Sequence, residues 1–232
     1  MTHKALRSRS ARHVKLVIFD CDGTLVDSQH LIVACMDEAF ASLGRPAPSR
    51  EATLSIVGLS LAEAFATLTR EGDPDIPALV EAYKGAFHAQ RLKPGNAEPL
   101  YEGAREVVEW LAEQEVALGI ATGKSQRGVR IVMTHHGLLE RFATIQTADD
   151  APSKPHPAMI EQAMAEVGAL PEDTVMIGDT TYDIDMAHAA GVASIAVAWG
   201  YHAPQALLLS RPHALVGAYA EVPLVLKGLW GP

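Results

Sequence analysis

Cysteine is almost missing from this chain, with two among 232 residues, so no disulfide framework holds it together. Cys21 sits inside an acidic run that a disulfide would distort, and it and Cys35 read as free thiols of a reducing compartment. No apolar run approaches the roughly 18 residues that span a bilayer. Basic residues are in deficit: 19 Lys and Arg against 28 Asp and Glu leave a net charge of −9. This excludes a general nucleic-acid or anionic-membrane binder, which needs a basic face, while local cationic sites stay open. Internal repeats and low-complexity segments are also absent. The stretch MTHKALRSRSARH is Arg-rich without acids, but the apolar VKLVIF after it is too short for a signal sequence and ends in Asp. Residues 1–13 are therefore expected to be a solvated tail, and the protein to be cytoplasmic.

Hydrophobic residues, by contrast, make up 48% of the chain, enough for a sizeable core and one smaller unit. Short apolar runs alternate with stretches of helical period, the pattern of a parallel sheet covered by helices. The strand candidates are 14–20 (VKLVIFD), 116–122 (VALGIAT), 142–147 (FATIQT), 174–179 (TVMIGD) and 193–199 (ASIAVAW). In open α/β sheets ligands bind outside the carboxyl ends of the strands, so Asp20, Thr122 and Asp179 can converge in one crevice despite their separation in sequence.

The first and second strands are separated by far more chain than a crossover needs, and most of it reads as helix. SQHLIVACMDEAFASLG carries Leu31, Cys35, Phe40 and Leu43 at helical spacing and stops at Gly44. A short helix fits 49–56, Ser60 to Glu63 fits a capping box that opens another, and a fourth runs from Ile76 to Leu92 with Pro77 in its first turn, stopping at KPGN. The expected organisation is an α/β core of residues 14–27 and 98–232 and an all-helical insertion over 28–97.

The chemistry concentrates in VIFDCDGTLVDS, residues 17–28. Four apolar residues bury a strand that ends in two carboxylates one residue apart, and Gly23 lets the chain turn away at once. Such a pair repels itself and resists desolvation, so it needs a compensating cation or a use. An ionised carboxylate at this position is a candidate nucleophile. Three further segments carry polar groups at strand ends or helix starts: IATGK (120–124), SKPHP (153–157) and MIGDTTYDIDMA (176–187). Thr122 and the Gly123 amide can hold phosphoryl oxygens, with Ser125 capping the next helix. GIATGKS is not a P-loop, because only three residues separate Gly119 from Gly123 where that motif has four. Pro155 is expected to hold Lys154 extended and Pro157 to open a helix. His135 and His136 read as the end of a helix, and Asp185 as a residue favouring a helix start.

These four motifs, in this order, resemble the haloacid dehalogenase-like hydrolases, whose opening motif has the form hhhDxDGTLxDS; the likeness covers essentially 14–200. It implies a Rossmann-like parallel sheet with helices on both faces and an inserted all-helical cap. It further implies that Asp20 forms an aspartyl-phosphate and that Asp22 protonates the leaving alkoxide and then activates water. By the same resemblance Lys154 neutralises the nucleophile and the transferring phosphoryl group. Asp179 and Asp183 join Asp20 and the Asp22 backbone carbonyl around a metal. Mg²⁺ is the expected ion, because these acids and a phosphate dianion cannot share a pocket unaided.

Family members that break carbon–halogen or carbon–phosphorus bonds usually lack an acid at the position of Asp22, so the resemblance implies a phosphate ester, and the phosphoglycolate phosphatase-like branch most of all. The loop Val57-Gly58-Leu59-Ser60 is the expected substrate reader, since Gly58 allows close backbone approach and loops of this type contact substrate in the family. Cationic candidates for that task are Arg45, Arg50, Arg70, Lys84, Arg91 and Lys93. The expected partner is a small-molecule phosphate ester, with no nucleic acid or membrane, and the chain a monomer or homodimer. A phosphomutase shares all four motifs and stays open. A phosphorylated Mg²⁺-binding signalling receiver also combines Asp, Thr and Lys on a parallel sheet, but has neither a base two residues after its nucleophile nor a large helical insertion.

Overall fold

Leu16, Val17, Ile18 and Phe19 are all completely buried, which an unbroken apolar run achieves only in a strand covered on both faces. That strand is β1 (Val14–Phe19). In the computed structural model, which describes residues 14–93 and 98–231, it lies at the centre of a parallel sheet ordered β3-β2-β1-β4-β5-β6. The other strands are β2 (Ala117–Thr122), β3 (Thr144–Thr147), β4 (Ala169–Gly178), β5 (Ala193–Val197) and β6 (Ala214–Val216). Between β1 and β2 come α1 (Gln29–Ser42), α2 (Arg50–Ser55), α3 (Leu61–Leu68), α4 (Ile76–Arg91) and α5 (Ala104–Glu113). The rest of the chain adds α6 (Gln126–His135), α7 (Ala158–Val167), α8 (Thr181–Ala190), α9 (Pro204–Leu209) and α10 (Val222–Trp230). The expected tail over 1–13, and most of the KPGN stop, lie outside the described residues.

Alternation along β1 divides the core. Val17 and Phe19 pack with Val107 of α5, Val132 of α6 and Leu226 of α10, whereas Leu16 and Ile18 pack with Met159 and Ile160 of α7 and Met186 of α8. The expected α/β sheet with helices on both faces is therefore what the chain forms. β6 was not expected, and the strands foreseen over 142–147 and 193–199 are shorter. β4 starts earlier than 174, because Ala169 pairs with Val14 before a bulge restores register at Thr174 and Leu16. Pro171 falls in that bulge, where its missing N–H costs no ladder bond.

The helices α1 to α4 enclose a small core of their own, with Leu31, Cys35, Phe40, Phe65, Leu79 and Tyr83 at its centre. Two close-lying strands of chain join them to the sheet: the Asp27 amide donates to Pro99 O at 2.8 Å and the Tyr101 amide to Leu25 O at 3.0 Å. Ser49 caps α2 through the Ala52 amide. At α3 only half of the expected capping box forms: the Ser60 hydroxyl accepts from the Glu63 amide at 3.5 Å.

The far end of the insertion rests on the sheet domain. His202 accepts the Thr181 amide on Nδ1 at 3.1 Å and donates from Nε2 to Ser55 O at 3.0 Å; the Tyr182 hydroxyl donates to the same carbonyl at 3.2 Å. No helix among the described residues is long and apolar enough to cross a membrane.

Candidate active site

The sheet order reverses direction about β1, so the carboxyl ends of β1, β2 and β4 open into one crevice. Asp20 follows β1, Thr122 ends β2 and Asp179 follows β4. The turn after Asp20 depends on Gly23, which has φ +90° and passes so near Asp179 that a Cβ there would lie 2.3 Å from its Oδ2. The next residue, Thr24, donates its hydroxyl to Asp179 Oδ1 at 2.8 Å, and the Tyr201 amide donates to Oδ2, also at 2.8 Å. Asp183 closes the N-terminal turn of α8 in a reciprocal box with Thr180: the Thr180 amide and hydroxyl both donate to Asp183 Oδ2, at 3.0 and 2.7 Å.

Lys154 reaches this cluster from the loop before α7. Its ammonium donates to Asp20 Oδ1 at 2.8 Å and to Asp183 Oδ1 at 2.6 Å, all three side chains being buried. Lys154 stands in a turn, with the His156 amide donating to Ser153 O at 3.0 Å and a cis Lys154–Pro155 peptide. This is the turn that a cis proline at its third position forms. Pro157 stands at the N-cap of α7, one residue before the helix proper, and the ring of the exposed His156 accepts the Ala158 amide at 3.2 Å.

One ammonium does not balance three buried carboxylates. Burial pushes Asp20 up to about 6; Lys154 opposes this, and the neighbouring Asp183 and Asp22 reinforce it. Asp179 is raised well above the usual carboxylate range, first by burial and then by Asp20 and Asp183. For Lys154 burial works against the charge, but Asp183 and Asp20 outweigh it and hold the ammonium above the ordinary lysine value. Oxygen atoms of Asp20, Asp179 and Asp183 lie within 4.8 Å of one another, the one such His, Cys, Asp or Glu group among the described residues. Asp20 Oδ2 is buried without a hydrogen-bond partner. Oxygen-only donors with surplus negative charge, one oxygen among them unpaired, fit a hard divalent cation.

Asp22 is oriented differently. Its Oδ1 accepts from the Ser28 hydroxyl at 2.6 Å and from Lys124 Nζ at 2.8 Å, and its carboxylate is not among the three that converge. Lys124 also lies 3.3 Å from Glu98 Oε1, and Arg91 of α4 donates through Nη2 to both oxygens of Glu98 at 2.8 Å. For Lys124 too, burial opposes the charge and the two acids outweigh it, so its value is raised. Cys21, between the two aspartates, is no rival nucleophile, because burial holds its thiol well above its usual value.

Asp20 and Asp22 line one end of a chamber of about 520 Å³ between the insertion and the sheet. Thr122 and Gly123 lie on its wall, and so does the loop 57–60 that was expected to face it. The loop is pinned there by the Ser60 amide, which donates to Ser153 Oγ at 2.8 Å. Gly58 has φ +101°, and Gly123 passes so close to the loop that a Cβ would meet Leu59 O at 2.5 Å. Ser125 caps α6 through the Gly128 amide at 3.1 Å.

All of Asp20, Asp22, Thr122, Gly123, Lys154, Asp179, Asp183 and Gly58 thus gather around one end of this chamber or its adjoining cluster. Of the six cationic candidates only Lys84 and Arg91 reach its lining; Arg45 pairs with Asp73 and Asp75, and Lys93 with Glu38. Sequence reasoning missed the parts played by Thr24, Ser28 and Lys124, although all three stand inside the motifs. Glu98 and Tyr201 carried no signal at all.

A family model described as haloacid dehalogenase-like hydrolase matches residues 17–197. The chain belongs to the haloacid dehalogenase-like hydrolases. Within that family it is 36% identical over 210 residues to the "probable phosphatase IndB" of Dickeya dadantii, covering 89% of this chain and 91% of that one. It is 31% identical over 208 residues to a phosphoglycolate phosphatase of Pseudomonas syringae, covering 87% and 76% respectively. A haloacid dehalogenase-like hydrolase from Streptococcus pneumoniae has the same fold, with a TM-score of 0.79 at 26% identity, over 91% of this chain and 97% of the other. The resemblance seen in the four motifs, including its phosphoglycolate phosphatase-like branch, is borne out. The signalling-receiver alternative is set aside by the family match.

Proposed function

We propose that this haloacid dehalogenase-like hydrolase is a phosphatase that removes the phosphoryl group of a small-molecule monoester by way of Asp20. The observation that carries this reading is Asp20 itself: it lines the chamber, is anchored through one oxygen by Lys154, and keeps the other without a hydrogen-bond partner. Asp20 attacks phosphorus; the ester P–O bond breaks as a bond from Asp20 to phosphorus forms. Asp22, also on the chamber wall, gives a proton to the departing alkoxide and then takes one from the water that displaces phosphate from Asp20. Thr122 and the Gly123 amide hold the phosphoryl oxygens, and Lys154 offsets their charge.

Asp20, Asp179, Asp183 and the Asp22 backbone carbonyl would hold Mg²⁺. Bound there, the ion neutralises charge on the phosphoryl group and positions it. The insertion, residues 28–97, acts as a cap that excludes water and reads the alcohol part of the substrate.

Release of inorganic phosphate from a panel of glycolate, sugar and nucleotide phosphates and pyrophosphate, with and without Mg²⁺, tests the reading. Mg²⁺-dependent release is the expected result. Isomerisation of a sugar phosphate without release would identify a phosphomutase, and inertness toward the whole panel would overturn both.

A further inference from the structure

Haloacid dehalogenase-like hydrolases share the machinery that handles phosphate, so what distinguishes this one is the remainder of the chamber. Away from Asp20 and Asp22 much of its wall is apolar: Ile32 of α1, Ile56 and Leu59 between α2 and α3, Val80 and Phe87 of α4, and Ile131 of α6. Ile131 is 43% exposed, a large aliphatic side chain uncovered on the rim.

The buried cations that reach the chamber each have an acid partner. Lys124 is held by Asp22 and Glu98, and Arg91 by Glu98. With Asp22 ionised, two acids and two bases leave this network neutral, and with Asp22 protonated Glu98 still pairs with both bases. Lys84 is exposed and pairs with Glu81 at 2.9 Å, and the other basic side chains on the lining, His88 and Arg127, are exposed. A second anionic group on the substrate, such as a carboxylate or another phosphate, would lose its hydration against these walls and meet no buried cation that lacks an acid partner. The volume also exceeds what glycolate needs: 520 Å³ equals the liquid volume of about 17 waters.

We infer that the leaving group is an uncharged, mainly apolar alcohol several carbons larger than glycolate. The inference rests on the phosphatase reading and narrows its substrate class. Burial of each added methylene should raise kcat/KM about fourfold until the chamber is filled. An acidic leaving group gains nothing of the kind.

The test measures kcat/KM with Mg²⁺ for ethyl, butyl, hexyl and 2-phenylethyl phosphate against 2-phosphoglycolate and pyrophosphate, with acetyl phosphate as a generic phosphoryl donor. Glycolate and phosphate are better leaving groups than simple alcohols, so chemistry alone favours the acidic substrates and makes the comparison stringent. The expected result is a rising alkyl series in which hexyl or 2-phenylethyl phosphate exceeds 2-phosphoglycolate at least tenfold. Ile131→Lys, a rim substitution on an exposed helix face, should narrow that ratio at least threefold. A flat alkyl series, or faster cleavage of 2-phosphoglycolate or pyrophosphate, would overturn the inference while acetyl phosphate turnover left the phosphatase reading intact. Inertness toward every compound, acetyl phosphate included, would overturn both.

Discussion

The Lys124 ammonium lies 2.8 Å from Oδ1 of Asp22, a residue 102 positions earlier in the chain. Through Glu98 the same ammonium is tied to Arg91, which belongs to the insertion. Asp22, the proposed proton donor, is therefore held by a network that spans sheet and insertion, and its middle is buried: the Lys124 and Glu98 side chains are 6% and 4% exposed.

Removing the centre of that network should be costly to the fold. Lys124→Met leaves Asp22 without its cation, and the loss is expected to be about 3–5 kcal/mol, as for other broken buried pairs. Equilibrium unfolding in urea measures it. Adding Glu98→Gln should recover part of the loss; strict additivity of the two substitutions would show that the residues are not coupled.

The metal-free protein should lose stability as pH rises between about 4 and 6. Asp20 is raised from 3.8 to about 6 in the fold, chiefly by burial. A carboxyl raised in this way stabilises the folded state while protonated, fully so below its unfolded value, and that contribution disappears as pH passes its folded value. Melting temperatures in EDTA should fall across this window, and added Mg²⁺ should raise them more at pH 7 than at pH 4. An equal effect of Mg²⁺ at both pH values would argue against ion binding at these carboxylates.

Asp20→Asn and Asp22→Asn should both abolish turnover of unactivated esters, with at least a thousandfold loss each, yet differ in what they accumulate. With an activated ester that needs no proton on departure, Asp22→Asn should retain a covalent phosphoryl group, since the water that would remove it is no longer activated. Mass spectrometry locates it. A label on any residue but Asp20 rules the mechanism out.

Gly123→Ala should disturb the loop 57–60 without touching a charged group. The added Cβ would approach Leu59 O and Gly58 O, both backbone atoms that can yield only if the loop moves. A rise in KM of roughly tenfold on the best substrate is expected, with faster amide exchange over 57–60 as the structural readout. Gly58 is a poorer probe than its place in the loop first suggests: at φ +101° any side chain strains the backbone as well as changing the wall.

Local pattern determined the sheet, the helices of the insertion and the positions of the motif residues. An unbroken apolar run such as Val17 to Phe19 has few alternatives to a doubly covered strand, and Ser49, Ser60 and Ser125 mark helix starts through bonds to amides three residues on. Where the signal was weak the expectations failed: β6 is only three residues long, and the bulge before Thr174 hides the beginning of β4. Tertiary structure alone decided which charges meet. Lys154 could have served any acid, but the register of β1 and β4 brings Asp20 and Asp183 to its ammonium at once. The sequence likewise presented six cations near the insertion, and packing directed Arg91 to Glu98 and brought only Lys84 and Arg91 of the six to the chamber lining. Hydrogen bonds within a turn depend on spacing that can be read along the chain; an ion pair such as Lys154 to Asp20, 134 positions apart, depends on where whole strands and helices come to rest.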